Sequence, residues 1–262
     1  MIKKNVYQTF YGLPSDVRFC KYLCISNQKP VSQKEFEHKK NTSKQTVFLD
    51  ENNVSDMWKY QKLKKNIDWD KRELELLKLL DKHRGKYGKY DCIVPGSGGK
   101  DSSFASHILK YKYGMNPLTV TWKPLLYTSY GKKNFNEWLS TGNFDNITDS
   151  RDERTTQILV KLSFMNLLHP FQTFMLGQYY LAPKISLKTG IPLIFYGESE
   201  AEYGNPLAEG QTSLREQSRY TYKNIDNLFL GGVKIKDIIK EYNIIDENIK
   251  DFIPPQENEF HN

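Results

Sequence analysis

Cysteine is scarce: Cys20, Cys24 and Cys92 are the three in 262 residues. That number is too small for the disulfide framework of a secreted domain and fits a reducing compartment. A long apolar run is missing as well. The most apolar stretch, Phe164 to Ala182, is broken by His169, Pro170, Gln172 and Gln178, so no membrane span is expected. The first residues, Met1 to Gln8, are partly basic with no apolar core behind them. No signal peptide is therefore expected, and the expected location is the cytoplasm.

Acidic residues are in the minority, with 31 Asp plus Glu against 38 Lys plus Arg and a formal net charge of +7. The surplus favours an anionic partner. It does not say which: nucleic acid, nucleotide and acidic sugar all fit, as does a merely basic soluble enzyme. The surplus is far below the basic density of a dedicated nucleic-acid arm. Aromatic residues are plentiful at 13%, including 17 Tyr and 14 Phe, which excludes wholesale disorder.

Three zones are expected: residues 1–66, an irregular amino-terminal segment; 67–205, an α/β domain with its leading helix; and 206–262, a helical carboxy-terminal extension. In the first zone Gln33 to Gln45, rich in Lys, Glu and Ser/Thr, reads as a solvated loop, followed by a short strand Thr46 to Leu49. Asp68 reads as the cap of a helix with Leu74, Leu77 and Leu80 as its apolar stripe, ended by Gly85.

Strands and helices then alternate. The expected strands are Tyr90–Pro95, Leu118–Trp122, Phe144–Thr148 and Pro192–Tyr196. The expected helices are Ser103–Tyr113 (with Phe104, Ile108 and Tyr111 on one face), Lys133–Leu139, Glu153–Leu168 and Phe171–Lys188. Such alternation implies βαβ units and a doubly wound parallel sheet, whose ligands bind at the carboxyl ends of the strands. A further helix, Ile235 to Tyr242, lies near the end.

The chemistry concentrates between the first strand and its helix, in Pro95-Gly96-Ser97-Gly98-Gly99-Lys100-Asp101-Ser102-Ser103. Glycines let backbone N–H groups turn toward phosphate oxygens, Ser97 and Ser102 add hydroxyls, and the helix presents its positive end. A Walker A loop would need Gly at position 94 and Ser or Thr at 101; the chain has Val94 and Asp101. A dinucleotide fingerprint would need its third Gly where Asp101 stands.

What fits is S-G-G-K-D-S at Ser97 to Ser102, which resembles the PP-loop of the ATP pyrophosphatases. The resemblance implies cleavage of ATP between its α and β phosphates, with Lys100 and the loop amides on the leaving pyrophosphate and Mg²⁺ bridging its oxygens. It makes Lys100 and Asp101 the catalytic candidates and Ser97, Gly98, Gly99, Lys100, Asp101 and Ser102 the nucleotide-binding ones. Asp101 either holds the metal or caps the helix. Thr121 and Trp122 end the strand at which this superfamily receives adenine through backbone groups, and plain strand accounts for them equally. Glu198, Glu200 and Glu202 alternate past the last expected strand. With Asp101, Glu198 and Glu200 are candidates for Mg²⁺, and Glu202 with Tyr203 for the substrate.

Eight stretches, one of them containing this loop, together resemble one branch of that superfamily, the N-acetyl sugar amidotransferases of O-antigen and pseudaminic-acid-type pathways. They are Tyr11–Pro14, Ser26–Pro30, Asn66–Trp69, Asp91–Ser103, Tyr111–Trp122, Asn166–Gln172, Phe195–Asn205 and Leu228–Val233. The resemblance implies ATP-dependent conversion of a sugar acetamido group to an acetamidino group: adenylation of the amide oxygen, then displacement of AMP by ammonia.

None of the three cysteines has the setting of a glutaminase nucleophile. Ammonia is therefore expected from outside, and the resemblance implies a separate glutaminase subunit and a cyclase-like barrel subunit as partners. Two departures stand out. Family members carry two C-x-x-C pairs near the amino terminus, a zinc knuckle; here Cys20 and Cys24 are in C-x-x-x-C spacing, the second pair is replaced by Val54–Trp58, and His38 is distant, so structural zinc is not expected. Family members also continue past this chain's end. A decayed, non-catalytic homologue and a tRNA-modifying PP-loop enzyme stand as the alternatives.

Overall fold

Residues 13–39, 42–198, 205, 215 and 217–260 are described by the computed structural model. The chain divides into two units. One comprises Met1–Lys34, Lys39–Trp69 and Ser199–Arg215, and the other Glu35–His38, Asp70–Glu198 and Glu216–Asn262.

In the first unit, helix α1 (Asp56–Lys64) starts where Ser55 Oγ accepts a hydrogen bond from the Trp58 N–H. A small core of Cys20, Val47 and Leu49 gathers Leu23, Ile25, Val31 and Trp58 around it. Thr46 to Leu49, expected as a strand, makes two isolated bridges, Pro30 with Thr46 and Leu49 with Ser55. The Cys20 thiol lies 3.3 Å from Ser55 Oγ, and Cys24 is exposed.

The second unit is α/β. Helix α2 (Trp69–His83) precedes strand β1 (Cys92–Pro95), helix α3 (Lys100–His107), strand β2 (Pro117–Trp122), helix α4 (Ser129–Gly142), strand β3 (Asn146–Asp149) and helices α5 (Glu153–Leu167) and α6 (Gln172–Thr189). The three strands pair in parallel in the order β1-β2-β3, with Ile93 opposite Leu118 and Val120 opposite Ile147.

On the other edge of β1, Ile194 forms a single parallel bridge with Ile93. The Ile93 N–H donates to Leu193 O at 2.8 Å, and the Phe195 N–H donates to Ile93 O at 2.9 Å. The expected strand Pro192–Tyr196 is thus reduced to one bridge, but it occupies the edge a parallel neighbour would take. The β1-β2-β3 sheet therefore extends from one edge of β1, and the Ile194 bridge lies on its other edge.

Alternation along β1 divides the core between two faces. Ile93, with Leu118, Val120 and Trp122 of β2, packs against Leu159 and Leu162 of α5 and Leu176, Tyr180 and Ile185 of α6. Cys92 and Val94 point the other way, to Leu80 of α2 and to Leu109 and Met115. Burial raises the Cys92 thiol to about 12.

Beyond residue 216 come the two-residue strands β4 (Phe229–Leu230) and β5 (Val233–Lys234) and helices α7 (Ile235–Tyr242) and α8 (Asp246–Lys250). Leu228, Leu230, Ile235, Ile238, Ile249 and Phe252 belong to the same core as Ile93. Each such side chain contributes about 1.5–3 kcal/mol when fully buried. This part of the expected extension is an integral layer of the α/β unit.

Other expectations shift for local reasons. Leu74 is exposed, and α2 turns Leu76, Leu80 and His83 inward, the i, i+4, i+7 stripe that meets Cys92 and Val94. Phe104 and Tyr111 are likewise exposed, while Ser106 and Leu109 are buried. The helix starts three residues earlier than expected, at Lys100, and passes into a π-helical turn at Ile108–Lys112. Helix α4 outgrows its expected limits because Thr128 Oγ1 caps its start from the Gly131 N–H and Asn143, at φ +47°, ends it. Within Gln33 to Gln45, Glu35 and Phe36 are buried, correcting the solvated-loop expectation there: Phe36 packs on Tyr180, and Gln172 Nε2 donates to Glu35 O at 2.8 Å.

Candidate functional site

Strand β1 ends at Pro95 and α3 begins at Lys100, leaving four residues, Gly96 to Gly99, to turn the chain. Two glycines are required by space. A Cβ on Gly96 would stand 2.5 Å from Ser102 Cβ and 2.9 Å from the Trp138 ring. One on Gly98, at φ +82°, would stand 2.7 Å from Phe135 Cα of α4. Gly99 is different: a Cβ there meets nothing within 4 Å, so its Cα faces open space. Gly99 is also the N-cap of α3 and supplies no side-chain cap, so the first-turn N–H groups receive none from it.

The turn is held from behind. Thr121 Oγ1, on β2, donates to Gly96 O at 2.8 Å, and the Gly96 N–H donates to Val120 O at 2.9 Å. Ser102 Oγ donates to Gly99 O at 3.1 Å. Behind α3, Trp138 Nε1 donates to Ser106 Oγ at 2.8 Å, which in turn donates to Ser102 O at 2.8 Å. Trp138 and Ser106 are buried and belong to no sequence motif. The contact spans 32 residues, and only the packing of α4 on α3 creates it.

Lys100 and Asp101 stand outside the core at the start of α3. Their side chains are 90% and 55% exposed and form an ion pair at 2.8 Å, so neither is used up in packing. A second loop closes on them from beyond the Ile194 bridge. A Cβ on Gly197 would lie 2.8 Å from the Asp101 carbonyl carbon and 2.9 Å from the Ser102 nitrogen. Glu198 follows and is exposed. Glu200, Glu202 and Tyr203 lie outside the described residues.

Thr121 and Trp122 are buried at the carboxyl end of β2, and their side chains are engaged. Thr121 Oγ1 also accepts from Asn146 Nδ2 at 2.9 Å. The Trp122 ring is pressed on Gly177 of α6, edge-to-face with Phe252, and covered by the Arg151 guanidinium at 3.7 Å from its centroid. Trp122 Nε1 is nonetheless a buried donor with no hydrogen bond among the described residues, so this strand end offers a ligand backbone groups and that one donor. Arg151 went unnoticed in the sequence. Burial lowers it to about 10, against the opposing charges of Asp149 and Asp251, and its Nη2 donates to Lys123 O.

The arrangement suits an anion. A glycine turn with open space at Gly99, the positive end of α3 and the Lys100 ammonium stand together at the carboxyl end of β1. The described residues thus form an α/β protein with a three-stranded parallel sheet and a glycine turn opening a helix. No family model matches the chain. A stretch of 58 residues is 41% identical to an uncharacterized protein of Methanocaldococcus jannaschii. That match covers 22% of this chain and 21% of the relative, so the chain spans about a fifth of the relative's length. Among the described residues no helix is long and apolar enough to cross a membrane.

Proposed function

We propose that the chain is a PP-loop enzyme of doubly wound fold that consumes ATP to AMP and pyrophosphate, and specifically an N-acetyl sugar amidotransferase. The observation that carries the reading is the S-G-G-K-D-S turn opening α3 at the carboxyl end of β1, with Lys100 exposed and Gly197 abutting Asp101. The finer resemblance to sugar amidotransferases adds the substrate, an acetamido sugar, and the second nucleophile, ammonia. Ammonia would reach the chain from a separate glutaminase subunit through a cyclase-like barrel subunit.

The chain's residues divide the work. First-turn N–H groups of α3 and the Ser97 hydroxyl would orient the phosphates, and Lys100 would neutralise the charge that develops on the leaving pyrophosphate. Mg²⁺ fits the donor set: Asp101 is half exposed with one carboxylate oxygen on Lys100, and one or two carboxylates beside phosphate oxygens suit this ion. Asp101 and Glu198 would hold it, and when bound it supplies further charge neutralisation. Backbone groups at Thr121 and Trp122 would receive the adenine.

The test is an AMP-release assay with ammonium chloride and a panel of nucleotide-linked, free and acidic N-acetyl sugars. AMP and pyrophosphate in equal amounts, dependent on one sugar and abolished by Lys100→Ala, are expected. Products of ADP and phosphate would overturn the reading. Absence of AMP with every sugar, with ATP giving no thermal protection, would favour the decayed homologue.

A further inference from the structure

Outside the glycine turn, the most unusual chemistry of the α/β unit lies under Glu35–His38, the short segment between two stretches of the other unit. Glu35 is 6% exposed, and among the described residues no hydrogen bond reaches its Oε2. His38, also buried, brings Nδ1 to 3.4 Å from that oxygen.

The segment is held firmly. Gln172, fully buried, donates to Glu35 O at 2.8 Å and accepts from the Gly231 N–H at 2.6 Å. Phe36 and Tyr180 set their rings 5.8 Å apart beside it. Thr173 Oγ1 is a second buried oxygen with no hydrogen bond among the described residues, and it lies seven residues before Tyr180, on the same face of α6.

A buried carboxylate with an unfilled oxygen is costly unless a cation or donor completes it. The His38 ring nitrogen, at 3.4 Å, is the polar neighbour of that oxygen among the described residues, so a small cation with hydrogens to donate would complete it. The cluster also flanks the strand end that carries the site. Tyr196 OH donates to Tyr179 O at 2.9 Å, Tyr179 and Tyr180 rings are 6.3 Å apart, and Tyr196 precedes Gly197, whose backbone abuts Asp101.

We propose that Glu35 and His38 bind ammonium and take its proton, so that ammonia is released as a nucleophile toward the glycine turn. This rests on the ammonia-consuming reaction proposed above. Ammonium bound at Glu35 Oε2 passes one proton to the Glu35–His38 pair. The nitrogen lone pair then forms a C–N bond at the adenylated amide carbon, the C–O bond to AMP breaks, and its electron pair leaves on the AMP phosphate oxygen. One N–H proton moves to the sugar nitrogen, giving an amidinium, and the pair returns its proton to solvent. The titratable groups whose charges reach Tyr180, beside the segment, are Glu35 and Glu37 on the segment, Tyr179 on α6 and Tyr196 beyond the Ile194 bridge. Burial first, then the Glu35 charge, raises the Tyr180 hydroxyl well above its ordinary value.

The experiment uses the full chain and two readouts. Ammonium chloride, titrated against sodium chloride at constant ionic strength, should raise the thermal midpoint of the unaltered protein and leave that of Glu35→Gln where it was. Potassium chloride raising it equally would overturn the ammonium assignment in favour of a general monovalent-cation site. In the AMP-release assay, Glu35→Gln should raise the ammonium KM at least tenfold with a smaller change in kcat, and His38→Gln should displace the pH dependence of kcat/KM for ammonium. Should Glu35→Gln fail to fold, Glu35→Asp, which keeps the charge but withdraws it by one methylene, should raise the same KM.

Failures separate cleanly. Glu35-dependent stabilisation by ammonium with no AMP from any sugar sinks the reaction and leaves the site. Sugar-dependent AMP release with an unaltered ammonium KM in Glu35→Gln sinks the site and leaves the reaction.

Discussion

The backbones of Gly197 and Asp101 touch: a Cβ on Gly197 would lie 2.8 Å from the Asp101 carbonyl carbon and 2.9 Å from its oxygen. Gly197 lies three residues past the Ile194 bridge and Asp101 in the first turn of α3, so the contact joins the segments that follow two neighbouring passes of the chain. The atoms a Cβ would strike are backbone, which cannot swing aside as a flexible side chain can. The start of α3 is therefore held from the front by Gly197 and from behind by Ser106.

Gly197→Ala should push the two loops apart where the phosphates are proposed to bind. The expected result is at least a tenfold loss of affinity for ATP, about 1.4 kcal/mol, with the far-UV circular dichroism unchanged. Titration with a fluorescent ATP analogue measures it. An unaltered affinity would show that the contact has no bearing on nucleotide.

Ser106→Ala removes the acceptor of buried Trp138 Nε1 and the donor to Ser102 O in one step. A buried donor left without a partner costs about 1–3 kcal/mol. Trp138→Phe removes the donor instead and opens space beside Gly96. Because the two substitutions break one shared bond, the double variant should be more stable than the sum of the singles implies, by about 0.5 kcal/mol or more. Urea unfolding of the four proteins decides it, and strict additivity would mean the bond contributes nothing.

These contacts also mark where sequence stops being informative. The glycine turn is legible because its spacing is local: an apolar run of four residues, glycines, a lysine and then a helical period all fall within 18 positions. Ser106 and Trp138 are ordinary residues in one dimension and meet only after α4 folds onto α3. Phe36 is a lone apolar residue among Lys, Glu and Gln, too short a pattern to carry a period, so its burial comes from the core it joins, with Tyr180 beside it. Phe104 and Tyr111 fail in the opposite direction. Their helical spacing is real, but the sheet takes the face with Ser106 and Leu109, and the Tyr111 hydroxyl goes to Gly142 O at 3.0 Å.

Gly177→Ala pits helix propensity against packing. Inside α6, alanine should favour the helix by about 1 kcal/mol. Yet a Cβ there would come within 1.9 Å of the Trp122 ring, which Phe252 and Arg151 also contact. Overpacking of a core costs about 1–3 kcal/mol or more, so packing should win and the variant should unfold at lower urea with an unchanged m-value. A more stable variant would mean that the Trp122 ring relaxes freely.

Lys184 supplies a pH test. Its ammonium reaches Lys250 O and Asp251 O at 2.7 Å each, and burial lowers it from 10.5 to about 8, against the opposing charge of Asp251. Below pH 8 both the folded and unfolded chains carry the proton, and its burial penalty is present in full. Between pH 8 and 10.5 the unfolded chain holds the proton while the folded one releases it, so this residue makes stability rise with pH across that window, by at most about 3 kcal/mol. The neutral amine still donates to both carbonyls, so the contact with the carboxy-terminal segment survives the titration. Cys92 acts in the other direction: its thiol, raised from 9.0 to about 12, makes stability fall as pH climbs through that range. Urea unfolding of the unaltered protein and of Lys184→Met at pH 7, 8, 9 and 10 separates the two. The difference in stability between the proteins should move in favour of the unaltered one as pH rises from 8 to 10; a difference independent of pH would mean that Lys184 keeps its ordinary ionisation in the folded chain.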